Sequence, residues 1–142
     1  MSRILVTYWS GTGNTEKMAE LIAEAARAKG AEVTCKVVGE TTVDEALGYD
    51  VLAVGSPSMG AEVLEESEIE PFVGELEGRL KDRKLGIFGS YGWGDGEWMR
   101  NWAERMRACG ATLLDDGLIA HETPDGEDAD KCREFGGKLA AF

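Results

Sequence analysis

Short apolar runs alternate along this chain with longer amphipathic stretches, and that alternation leaves few folds open. Strand-like runs occupy residues 3–8, 32–38, 51–55, 84–89 and 118–120, the last with candidate pairing around 112–114. Several are continuously apolar, as strands buried on both faces must be. Helix-like segments lie between them at 16–29, near 43–47, and at 67–80, 97–109 and 127–141. Gly30 and Gly110 stand where helix C′ residues belong, and Thr42 or Asp44 can cap the short second helix. Five β units alternating with helices predict an α/β fold, a doubly wound parallel sheet with helices on both faces. A chain of 142 residues suits one such domain, spanning 1–142.

Ligands of such sheets bind beyond the carboxyl ends of the strands. The loops after strands one, three and four therefore converge, and they are the unusual parts of the chain. The first reads Ser10-Gly11-Thr12-Gly13-Asn14-Thr15 and opens a helix. A strand, a glycine-containing turn rich in hydroxyls and a helix N-terminus make a phosphate site, because free N–H groups and the helix dipole favour an anion. The loop has no Lys or Arg. Its donors are neutral, and it lacks the Gly-Lys-Ser/Thr of a P-loop. Taken alone it also reads as a plain strand-to-helix turn capped by Asn14 or Thr15.

The other two loops favour the ligand. One contains Met59-Gly60-Ala61-Glu62, the other Ser90-Tyr91-Gly92-Trp93-Gly94. Met59 and Trp93 sit in glycine-bearing loops outside any helical stripe. A planar aromatic ligand between them, with its phosphate in the first loop, accounts for all three. Trp98, Trp102 and Met106, spaced by four, read instead as a core stripe, as do Met18 and Leu21-Ile22.

Ser10 to Thr15, Met59-Gly60-x-Glu62 and Tyr91-Gly92-Trp93-Gly94 resemble the short-chain flavodoxins of anaerobic bacteria. The resemblance extends over essentially the whole chain, through Glu65-Glu66-Ser67 and Glu70-Pro71-Phe72. It implies sheet order 2-1-3-4-5 and a low-potential one-electron carrier with non-covalent FMN. Ser10, Gly11, Thr12, Gly13, Asn14 and Thr15 would then hold the phosphate. Met59 would lie on the inner flavin face and Trp93 on the outer face. Glu62 would meet N3–H, Gly92 and Trp93 would supply backbone at the O2 and N1 edge, and Gly60, Ala61 and Ser90 would complete the site. It also implies a redox switch at Gly60, whose carbonyl turns to accept N5–H of the semiquinone through φ values that a Cβ would penalise. Ala61 stands where relatives often carry an acidic residue, and Pro57 and Ser58 vary as well.

Competing readings are an FMN-dependent reductase, a flavoprotein activator of a radical enzyme, and a receiver domain on the same fold. The last needs acidic residues where the chain has Gly55-Ser56 and Trp9-Ser10. A formal net charge of −12 disfavours nucleic acid and anionic membranes, and suits redox partner proteins with basic docking patches. The three cysteines lack metal-type spacing and read as reduced packing residues, and the single histidine, His121, has no ligand-spaced neighbour. No metal is expected. The expected setting is the cytoplasm, and the expected state is a monomer.

Overall fold

The computed structural model describes residues 2–142. Strands β1 (Arg3–Tyr8), β2 (Glu32–Val37), β3 (Val51–Gly55) and β4 (Lys84–Tyr91) pair in parallel in the order β2-β1-β3-β4. The fifth position is split. Strand β5 (Thr112–Leu113) pairs with the start of β4, and β6 (Leu118–His121) pairs with its end. The order 2-1-3-4-5 is thus the observed one. β4 runs two residues past the expected 84–89 because Ser90 and Tyr91 find partners in Ala120 and His121.

Helices α1 (Asn14–Ala28) and α5 (Gly126–Ala141) cover one face of the sheet, while α3 (Ile69–Leu76) and α4 (Glu97–Ala108) cover the other; the one-turn α2 (Val43–Ala46) packs beside α3. Alternation along β1 divides the two cores. Ile4, Val6 and Tyr8 meet Met18, Ile22 and Phe135 on the first face. Leu5 belongs to the second, with Ile69, Leu76, Trp98, Trp102 and Met106. The Trp98/Trp102/Met106 stripe is core, at 2%, 2% and 1% exposure. At 25 cal/mol per Å², burying one such ring contributes about 3 kcal/mol or more.

Two helices differ from expectation by two residues or more. α1 starts at Asn14 rather than residue 16, because Ser10 Oγ accepts the N–H groups of Gly13 (3.1 Å) and Glu16 (3.2 Å) and caps the helix from before its first turn. The N-cap position is Gly13, not Asn14 or Thr15. The third helix was expected over 67–80. It begins at Ile69 because the Glu65 carboxylate takes the N–H groups of Ser67, Glu68 and Ile69 and the Ser67 hydroxyl, and it ends in a 3₁₀ turn at Glu77–Arg79. Burial pushes the Glu65 carboxyl up, but those hydrogen bonds outweigh it and hold the group below the ordinary carboxylate range. Gly30 and Gly110 end α1 and α4 at φ 94° and 86°, and Thr42 Oγ1 caps α2 at 3.1 Å from the Glu45 N–H.

Candidate functional site

The carboxyl ends of β1, β3 and β4 open into a cavity of about 420 Å³. From the first loop it is lined by Trp9, Ser10, Gly11, Thr12, Asn14 and Thr15. The loop after β3 contributes Pro57, Ser58 and Met59, and the end of β4 contributes Ser90, Tyr91 and Gly92. The volume lies within the range of small-molecule and cofactor sites.

The electrostatics are those of a neutral anion cradle. Among the described residues no Lys, Arg or His lines the cavity. Ser10 Oγ is committed as a helix cap, but the main-chain N–H groups of Gly11, Thr12, Asn14 and Thr15 find no acceptor among the described residues. Four free donors at one helix N-terminus are a phosphate-binding arrangement. Thr15 Oγ1 and Ser90 Oγ, both buried, hydrogen-bond at 2.8 Å and fix the first loop against β4. The Trp9 indole covers the loop so closely that a Cβ on Gly11 would lie 3.0 Å from its ring. Trp9 therefore serves both cavity and core, since it also packs against the face carrying α3 and α4.

The loop after β3 is tied at both ends. The Ser58 N–H donates to the Ser90 carbonyl (2.9 Å), and Met59 and Val63 exchange N–H···O bonds of 2.9 and 3.0 Å. The three residues between them form a closed turn with Gly60 at φ 50° and Glu62 at φ 56°. The Glu62 carboxylate accepts the Glu97 N–H at 3.2 Å and fills the space that the absent side chain of Gly94 leaves. Glu62 thereby caps α4, whose N-cap residue Gly96 has no side chain to do so.

Not every expected site residue lines the cavity. Ser10, Gly11, Thr12, Asn14, Thr15, Met59, Ser90 and Gly92 do; Gly13, Gly60, Ala61, Glu62 and Trp93 do not. Gly60 and Ala61 face a neighbouring hollow of about 450 Å³ that shares Met59 with the cavity. Trp93 projects from its loop at 65% exposure. On the loop after β3, Met59 and Val63 are likewise large exposed apolar side chains, and both line the neighbouring hollow.

Sequence reasoning missed Glu122, the single charged residue that lines the cavity among those described. It follows β6 at φ 58°, with its N–H on the Tyr91 carbonyl at 2.8 Å. Its one sequence signal is its place after the last strand.

Among the described residues no group of His, Cys, Asp and Glu is arranged to hold a metal, and no helix is long and apolar enough to cross a membrane. Burial pushes the Cys35 thiol up to about 11 and the Cys132 thiol up to about 12, so neither supplies a thiolate at neutral pH.

A cradle of neutral N–H donors, a buried hydroxyl pair and exposed apolar side chains on the two flanking loops fit a phosphate carried on a flat apolar group. A family model described as Flavodoxin matches residues 6–136. A flavodoxin of Clostridium beijerinckii is 49% identical over 135 residues, covering 95% of this chain and 97% of the relative. One of Megasphaera elsdenii is 47% identical over 131 residues, with 92% and 93% covered. The solution structure of two-electron reduced Megasphaera elsdenii flavodoxin superposes with a TM-score of 0.88 at 45% identity, covering 98% of this chain and 99% of that one.

Proposed function

The chain belongs to the flavodoxin family, and from that premise we propose how its own residues hold FMN and which proteins it serves. It is a small FMN-binding electron-transfer flavoprotein, a carrier rather than an enzyme with a substrate of its own. When bound, FMN supplies one-electron redox chemistry that no side chain here can.

The phosphate is assigned to residues Ser10 to Thr15, with the free N–H groups of Gly11, Thr12, Asn14 and Thr15 as its main donors. The flavin is assigned to the space beside Met59, Ser90 and Gly92. Trp93, highly exposed in its loop, is assigned to its outer face, and Glu62 to its N3–H edge. Gly60 is the candidate redox switch. Its turn is closed by the Met59–Val63 bonds, so its peptide can rotate locally, and nothing lies within 4 Å of the place a Cβ would take. The rotation would turn a carbonyl toward a flavin nitrogen that carries a proton only after reduction.

Charge sets the working range. A negative charge at ~10 Å in an effective dielectric of ~40 costs roughly 0.8 kcal/mol when one more electron arrives. For a one-electron couple that is roughly 35 mV downward. Glu122 lines the cavity and is placed to act so, with His121 Nε2 3.7 Å from its carboxylate, while Asp95 pairs with Arg100 (3.0 Å). We read the chain as one domain, a monomeric cytoplasmic carrier whose partners present basic patches to its −12 surface.

The observation that carries this reading is the cation-free cavity with four unpaired N–H groups at the start of α1. Mass spectrometry of the cofactor released from purified protein tests it. FMN is expected, and FAD as the dominant species would overturn it.

A further inference from the structure

The segment after β6 reaches across the cavity and touches both neighbouring loops. The Glu122 N–H donates to the Tyr91 carbonyl (2.8 Å), His121 Nε2 lies 3.2 Å from the Gly92 carbonyl oxygen, and the Thr123 hydroxyl donates to Asn14 Oδ1 at 3.1 Å. The last contact joins residues 109 positions apart in sequence.

The Asn14 amide has two unlike ends, an acceptor oxygen and a donor NH₂. Thr123 takes the oxygen. The NH₂ end makes no hydrogen bond to any described residue, and Asn14 lines the cavity. Which end an amide shows to an anion decides whether it attracts or repels. The choice carries weight here, because the cavity has no cation and Glu122 adds a negative charge to its wall. A flipped Asn14 would set a second oxygen against the phosphate.

We propose that Thr123 is a positioning residue for phosphate binding, whose hydroxyl holds Asn14 with its amide N–H donors turned to the ligand. This rests on the FMN reading above. Thr123 itself need not touch the cofactor, and its sequence surroundings carry none of the glycine-rich signal of the other loops.

The test titrates flavin-free protein with FMN and with riboflavin, which lacks the phosphate. Thr123→Val keeps the side-chain shape and removes the donor. It is expected to weaken FMN binding roughly three- to tenfold, the loss of about one hydrogen bond, and to leave riboflavin binding unchanged. Thr123→Ser is expected to restore the wild-type FMN affinity. Asn14→Ala is expected to weaken FMN binding by itself, with Thr123→Val adding nothing on that background. Equal losses for FMN and riboflavin, additive losses in the double variant, or an unchanged FMN affinity in Thr123→Val would each overturn the positioning role while flavin binding stands. A wild type that binds neither ligand would overturn the functional reading itself, and this proposal with it.

Discussion

Gly60 stands at φ 50° between Met59 and a second left-handed residue, Glu62. A β-branched residue there is strained by roughly 1–3 kcal/mol. Gly60→Thr is expected to lower the stability of the folded protein by that amount, measured by chemical denaturation. If the peptide also rotates on reduction, the two one-electron potentials will shift unequally, the first by more; equal shifts would count against rotation. Trp93→Ala is expected to weaken FMN binding by about 1–3 kcal/mol through lost aromatic coverage. An unchanged dissociation constant would leave the 65%-exposed ring without that role. At this scale the phosphate loop was legible because its donors are contiguous in sequence. Glu122 was not, since a left-handed backbone and the Tyr91 carbonyl bring it in, and neither leaves a local signature.

Helix boundaries are decided by single side chains. Glu65 replaces an N-cap for α3 from four residues ahead of Ile69, which is why apolar periodicity placed the helix start too early. Glu65→Gln is expected to cost about 1–2 kcal/mol at pH 7, the worth of a strong cap. The sign of its pH dependence follows from a folded-state pKa held below the unfolded one, roughly 4.3. The stabilisation is complete above that unfolded value and disappears as pH falls through the folded one. Denaturation curves of variant and wild type should therefore differ at pH 7 and approach each other as pH falls below the unfolded value. Between helices, a Cβ on Gly136 of α5 would lie 2.3 Å from the Ile22 carbonyl oxygen of α1. Gly136→Ala is expected to force the pair apart and lower stability by about 1–3 kcal/mol, read from the denaturation midpoint. Nothing in the periodicity of α5 marks that contact, because the close approach depends on a helix more than a hundred residues earlier.

At the scale of the whole molecule the doubly wound parallel sheet was legible, because strands and helices alternate strictly and crossovers share one hand, whereas the strand order came only with the resemblance to flavodoxins. The split of the fifth strand was not legible. It follows from Asp115 at φ 54° and Gly117 at φ 94°, which break the ladder between β5 and β6. Net charge also acts at this scale. With −12 on the chain, electron transfer to a basic partner is expected to slow as ionic strength rises. Stopped-flow rates that do not respond to salt would remove the electrostatic docking model. The cavity draws its walls from Ser10, Ser58, Ser90 and Glu122, and α1 is closed over by α5. A ribosome releases those walls one after another, so the phosphate loop must wait for the segment after β6 and for α5 before it can keep a cofactor. A nascent chain halted before α5 would carry the recognisable loop and yet hold no flavin.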